Sequence, residues 1–516
     1  MSTVDHATGA PAEGFKRAAV ILLGLIAAIQ VADPLVSSLA LAKASDELDF
    51  TASQASMAAG ISTLALAATA IPGGLLADRL GRRNIIAFSL ILAAIGEVMT
   101  AMTPKDAVFV YFIGRAITGV ALGMTFGGAY GMLHYVSAPK ALGPAMATFN
   151  VLNGVIPVIA MVLGGVLLAD SWRTAYLILP VLAIGLFFLI PSILPKVGKI
   201  AGDKLDLVGM VLVGAGIVGL LAGLSGATNG LTQPGFYVPV LIGIVSLVLF
   251  GIRESKTNHP VFPIKLLSHP AFLGAVIMGV FWNFASAGLS QMLPNIWQYV
   301  THIPSAVLGA ASLPMSAAGI AGSVVAGAVI GKGSKPRTTA AIGYVLMVVG
   351  LLYYVTLHST DGYLLFLPGM LVAGMGWMMN ATSQGNLFIS LAPAKFYGAV
   401  TSSKIAVGQF GYALGLTGTT VAVSTFTLNG VDAATKGAVT GEGNWDAITS
   451  YLASGSTTNS ALQALGQDKI ADIYTSAFST TTTIVAIVVA IAGAGMYLLL
   501  KNKKADIPVE EFLASK

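Results

Sequence analysis

Fourteen apolar runs recur along this chain, each about 18 to 25 residues long and so able to cross a hydrocarbon core about 30 Å thick as a helix. Lipid offers no water to an unpaired peptide group, so every run must close its own hydrogen bonds. The series opens with runs at 18–42 and 54–77 and closes with 399–425 and 476–500. Only 9% of the 516 residues are charged, 55% are hydrophobic and the mean hydropathy is +0.83, too few charges to cover a soluble globule. The expected fold class is therefore an all-α polytopic membrane protein. Sixty glycines suit its helices, because small residues let backbones touch where lipid supplies no hydrophobic drive. The chain has no cysteine, which excludes disulfides, thiolate metal sites and a cysteine nucleophile.

The net charge of +5 reports orientation rather than affinity for nucleic acid. Connections after even-numbered runs hold Arg79, Arg82, Arg83, Lys140, Lys196, Lys199, Lys204, Arg253, Lys256, Lys265, Lys332, Lys335, Arg337 and Lys395. The termini add Lys16, Arg17, Lys501, Lys503, Lys504 and Lys516, whereas the other side holds Lys43, Lys105, Arg173, Lys436 and Lys469. Both termini are thus expected in the cytoplasm, with the chain in the cell membrane and the run after Arg17 retained as the first span.

The turn between the second and third runs is Gly73-Gly74-Leu75-Leu76-Ala77-Asp78-Arg79-Leu80-Gly81-Arg82-Arg83-Asn84. Three arginines and an aspartate are packed between two spans with almost no loop, and the glycines allow close approach and reversal. The run resembles the signature between the second and third helices of the major facilitator superfamily, with Gly74, Asp78, Arg79, Gly81, Arg82 and Arg83 on its pattern; an ordinary basic turn is the plainer reading. A degenerate copy lies at Gly327 to Arg337, where Gly331 replaces the aspartate. The resemblance implies two six-helix bundles, at 18–193 and 271–500, with two extra helices at 207–252 between them and tails at 1–17 and 501–516. The interfacial link 253–270 resembles that of the fourteen-helix drug:proton antiporters. An outer loop, 426–475, is expected to be either a cap or an insertion without function.

Ionisable side chains inside spans need a partner, a wet cavity or a proton. Asp33, Glu97, Arg115 and Lys404 qualify. At a rise of about 1.5 Å per residue, the first three fall in one slab of the outer half, where one guanidinium faces two carboxylates. If they share a cavity, one carboxyl is expected to carry a proton near neutral pH; a fixed structural ion pair is the plainer reading. Arg115-x-x-x-Gly119-x-x-x-Gly123 resembles the fourth-helix motif of proton-coupled facilitators, and Asp33 falls where the first-helix aspartate of the drug antiporters would, although Pro34 and Ser38 depart from that motif. Lys404 is expected to snorkel to the cytoplasmic face.

Asn150, Asn153, Pro157, Gly164 and Gly165 resemble the fifth-helix antiporter motif incompletely, since Ala160-Met161 stands where the family has Gly-Pro. They could equally serve only bending and packing. Asn150 and Asn153 are also candidates to line a solute cavity, and Trp282 and Asn283 in the ninth run, with Trp377, Asn380 and Gln384 in the twelfth, are candidates to line it or to join helices by hydrogen bonds. No nucleotide-cradling loop, zinc-binding His-Glu-x-x-His or nucleophile elbow occurs, so no enzyme activity, cofactor or metal is expected. The resemblance implies a monomeric transporter that exports small amphipathic or drug-like molecules in exchange for protons. A facilitator of one metabolite or lipid-like molecule, or a sensor or scaffold on the same fold, are the alternatives.

Overall fold

The computed structural model describes residues 14–168, 170–198, 205–227, 230–304 and 307–515. Most of the 1–17 tail and the basic residues Lys199, Lys204 and Lys516 lie outside these. The first bundle comprises α1 (Arg17–Glu47), α2 (Ala52–Leu80), α3 (Arg82–Ala101), α4 (Phe109–Val136), α5 (Leu142–Leu168) and α6 (Ile178–Ile193). A hairpin follows, α7 (Leu207–Gly226) and α8 (Pro234–Glu254). The second bundle comprises α9 (Pro270–Tyr299), α10 (Leu313–Gly331), α11 (Pro336–Tyr353), α12 (Leu367–Ser390), α13 (Tyr397–Ala434) and α14 (Gln467–Lys501).

Among the described residues, thirteen helical stretches are both long and apolar enough to cross a membrane. The remaining run, 399–425, lies in α13, a helix of 38 residues whose many Ser, Thr and Gly residues keep it outside that apolar set.

Local chemistry sets the helix ends. Thr51 caps α2 in a capping box, accepting from Gln54 N while Gln54 Oε1 accepts from Thr51 N. Gly81, at φ +98°, ends α2 and starts α3, a backbone that L side chains rarely adopt. Gly333, in the degenerate repeat, takes the same φ of +98° between α10 and α11.

Each bundle has its own buried core, one running from Ala19 to Leu194 and one from Ala271 to Leu500. The bundles meet along two crossed seams, α2 against α13 and α5 against α10. The hairpin packs on itself through Gly216, Gly219 and Gly243 and leans on α2 and α13. Asp206 fixes its base, accepting from Gly209 N at 2.9 Å and from Arg253 Nε and Nη2 at 2.8–2.9 Å.

The connection expected at 426–475 is shorter and more helical. Both α13 and α14 continue past their apolar segments, leaving 435–466 between them. Two short helices there, Trp445–Ser454 and Ser460–Leu465, bury Ile448, Leu452 and Leu462, and Gln467 Nε2 donates to Leu452 O at 2.8 Å. At the opposite, basic face, the link before α9 packs Val261, Phe262 and Leu266 inward. The C-terminal segment folds back on it, with the His269 and Phe512 rings 4.8 Å apart.

Candidate functional site

Four helices of the first bundle converge on Arg115. Asp33 of α1 takes both arms of its guanidinium, Nη1 to Oδ1 at 2.6 Å and Nη2 to Oδ2 at 2.9 Å. Glu97 of α3 takes Nη1 through Oε1 at 2.7 Å, and Ser62 of α2 donates to Asp33 Oδ2 at 2.8 Å. All three charged residues are about 1% exposed, so water does not screen them. Glu97 Oε2 and Arg115 Nε have no hydrogen-bond partner. The Tyr176 ring lies 5.5 Å from the guanidinium carbon, and its hydroxyl is hydrogen-bonded to Tyr111 at 2.7 Å and Ser37 at 3.0 Å. Glycines make the convergence possible. A Cβ on Gly119 would strike the Ser62 backbone, and one on Gly123 would come within 2.6 Å of Leu66 O.

The basic turn builds a second charged site. Asp78 pairs with Arg82 and also accepts from the backbone N–H of Gly398, in the first turn of α13. The carboxylate thus caps a helix N-terminus that belongs to the other bundle. Arg82 is buried between the rings of Tyr135 and Tyr397, at 5.7 and 5.1 Å. Arg83 donates to Pro191 O at 3.2 Å, tying α3 to α6, and Arg79 stands half-buried beside them.

Both seams are closed over the half of the membrane nearest the basic face. Gly74 meets Gly398 and Ser402 across one; Gly327 meets Gly143 and Ala147 across the other. Asn150 donates to Thr382 Oγ1 at 3.0 Å, and Thr382 is hydrogen-bonded to Ser323 at 2.8 Å. Further from the basic face, Asn153, Trp282, Asn283 and Trp377 are half-buried.

A sequence model of the Major Facilitator Superfamily matches residues 20–204 and 207–416. The chain belongs to that superfamily. It is 26% identical over 370 residues to a multidrug resistance protein B homolog of Mycobacterium tuberculosis, spanning 70% of this chain and 68% of the relative. It is 25% identical over 344 residues to the lincomycin resistance protein LmrB of Bacillus subtilis, spanning 65% of this chain and 70% of that one. Among solved structures, the proton:xylose symporter XylE superposes with a TM-score of 0.59 at 12% identity, covering 96% of this chain and 98% of XylE. The protein is therefore an integral membrane protein with the superfamily's transporter fold.

Within that fold, some expected site residues hold helices together instead. Asn380 is fully buried and donates to Gly376 O at 3.0 Å and toward Met347 sulfur at 3.3 Å, which places it between α11 and α12 rather than on a cavity wall. Asn150 joins the bundles, while Asn153 and Asn283 bond back to Phe149 O and Gly279 O of their own helices. Trp282 Nε1 donates to Gln384 Oε1 at 3.0 Å. Pro157 is buried in α5, but the glycines after it form no tight seam. A Cβ on Gly164 would make only ordinary contact with Val36, and one on Gly165 would meet open space.

Lys404 corrects a further expectation. It does not snorkel to the basic face; its Nζ lies 5.2 Å from the ring centroid of Tyr130 and 6.0 Å from that of Phe126, across the seam in α4. The aromatic faces answer the cation there, since a ring face attracts an ammonium that has left bulk water. Ser62, Thr382, Tyr130 and Gly398 escaped the sequence reading because they carry no charge and stand in no spaced motif.

Proposed function

We propose that the chain is a proton-coupled secondary transporter that exports small amphipathic or drug-like molecules across the cell membrane, with the basic face and both termini in the cytoplasm. The observation that carries the reading is the Asp33–Arg115–Glu97 cluster: one guanidinium against two carboxylates, sealed from water, holds a net negative charge that one proton neutralises. Asp33 and Arg115 already make a two-armed pair, so the proton resides on Glu97 in this conformation, and rearrangement of α1 against α4 transfers the need for it to Asp33. The names of the relatives, which speak of multidrug and lincomycin resistance, support export as the direction.

The coupling is alternating access. The conformation described is shut at the basic face, where the Asp78 carboxylate and the α13 N-terminus make a contact that only the shut state permits. Opening toward the cytoplasm breaks that contact, parts Gly74 from Gly398 and separates Asn150 from Thr382. The two crossed seams let one bundle rock on the other while each core stays intact. The protein acts as a monomer in this scheme, since the solute path lies between its own two halves.

Purified protein in liposomes with an imposed pH gradient tests this. Asp33→Asn should abolish gradient-driven flux while the protein still inserts and melts cooperatively. Unchanged flux would remove the cluster from the mechanism.

A further inference from the structure

The strongest unexplained group in the molecule is the Lys404 ammonium. Seven residues into α13, it stands about 10 Å from the end of that helix at the basic face. Thr401 and Ser402, just before it, are fully buried in the seam, whereas Lys404 and residues 406–410 are half-buried, so the tight packing of the seam relaxes from its level onward. Its nearest described company is aromatic. Phe126 and Tyr130 lie stacked, ring centroids 5.1 Å apart and 14° from parallel, and the ammonium rests over both.

Among the described residues, no carboxylate forms an ion pair with this cation. Within the spans Asp33 and Glu97 are spent on Arg115, and Asp78 is spent on Arg82 and the α13 N-terminus. Of the buried polar groups near it that lack a partner, two can donate to an anion. Gln384, fully buried, gives its oxygen to Trp282 and leaves Nε2 without a partner; the Tyr130 hydroxyl, also fully buried, has none. Tyr130 lies under the Lys404 ammonium, and Gln384 packs at Gly279 beside Val407, the next turn of α13. A Cβ on Gly279 would touch the Gln384 amide and Val407, one turn from Lys404, and a Cβ on the neighbouring Gly385 would stand 2.5 Å from the Tyr130 oxygen.

We propose that Lys404, with Gln384 Nε2 and the Tyr130 hydroxyl, binds the anionic head of an amphipathic solute, so that this protein carries carboxylates or sulfonates in preference to cationic drugs. The physical reason is compensation: a cation held away from water over aromatic faces gains most from an anion that also accepts the adjacent donors. The stacked rings and Trp282 then accept the apolar body of the solute. This rests on the transporter reading above and names its substrate class.

Two readouts separate the claims. The first is flux into proteoliposomes of carboxyfluorescein and taurocholate against ethidium and tetraphenylphosphonium; the second is thermal stabilisation of the purified protein by the same probes. The anions should move and stabilise, Lys404→Gln should lose both effects by at least about tenfold, and Lys404→Arg should retain most of them. Transport of the cations by the parent protein, unchanged in Lys404→Gln, would overturn the anion site and leave an exporter. Stabilisation by the anions that needs Lys404, without flux of any probe in correctly inserted protein, would keep the site and overturn export. Absence of both effects for the anions would overturn the inference outright.

Discussion

Gly74 in α2 stands directly against Gly398 in α13, and neither position has room for a methyl group: a Cβ on one would overlap the carbonyl of the other. One residue pair thereby brings Asp78, a turn further along α2, to the first turn of α13. The degenerate repeat does the same on the other seam, where Gly327 of α10 is pressed on Gly143 and Ala147 of α5. The two halves of the molecule thus close at the basic face by the same device used twice.

Substitution at that crossing should act on the closed state alone. Gly74→Ala or Gly398→Ala is expected to cost about 1–3 kcal/mol of the closed conformation, the usual price of overpacking, and to reduce transport at least about tenfold. Gly165→Ala, where a Cβ meets open space, should leave flux and melting within experimental scatter. Because the chain has no cysteine, a pair introduced at Asn150 and Thr382, which are hydrogen-bonded across the bundles, would report closure directly; cross-linking should fall in Gly74→Ala and persist in Gly165→Ala.

The buried cluster predicts an order of severity. Arg115→Ala leaves Asp33 and Glu97 without their cation and should destabilise by about 3–5 kcal/mol, whereas Glu97→Gln, which keeps a hydrogen-bonding shape, should cost far less. The combined change of Asp33→Asn, Glu97→Gln and Arg115→Gln should melt higher than Arg115→Ala alone. Melting temperatures of the four proteins in one detergent decide the matter; equal losses for Arg115→Ala and Glu97→Gln would mean that the three charges are not energetically joined.

How much of this was legible beforehand depends on what each residue needs. The depth of Asp33, Glu97 and Arg115 follows from helical rise alone, so counting residues from the span ends put all three in one layer, where they meet. The basic turn was legible because charge wedged between two spans has one place to go. Lys404 departs from expectation because depth does not give direction: its ammonium lies over Phe126 and Tyr130 of α4, across the seam. For Asn380 the sequence leaves two roles open, since an amide has the same appearance whether it faces solute or joins α11 to α12; its hydrogen bonds in the structure are of the second kind. The ends of α13 and α14 were placed short because both helices continue as polar helix beyond the apolar layer.

The hairpin base supplies a pH dependence outside the membrane. Bidentate hydrogen bonding from Arg253 holds the Asp206 carboxyl below its ordinary range, with the Gly209 N–H adding to the effect. A carboxyl lowered in the folded state contributes stability that is complete above the ordinary value of about 4 and is lost as pH falls through the lowered value. Melting of the parent protein should therefore exceed that of Asp206→Asn by a constant margin from about pH 5 to 7, and the two curves should converge in stronger acid. Parallel curves down to the most acidic point would show that this pair is not what acid removes.

Asn150 and Thr382 offer the cleanest measure of inter-bundle coupling, because their hydrogen bond spans the seam and both groups are buried. Each single change, Asn150→Ala or Thr382→Val, breaks the same 3.0 Å bond, so the losses should not add. A double-mutant cycle on thermal stability in the shut conformation should return a coupling of about 0.5–1.5 kcal/mol. Thr382 also engages Ser323, so Thr382→Val should be the more damaging of the two, and Ser323→Ala should reproduce only that excess. If the bundles part at this level on opening to the basic face, as proposed above, the same cycle run on protein trapped open should give a coupling near zero. A coupling that survives opening would place the hinge of the rocking motion at Asn150 itself, and the moving surfaces would then be those around Gly74 and Gly398.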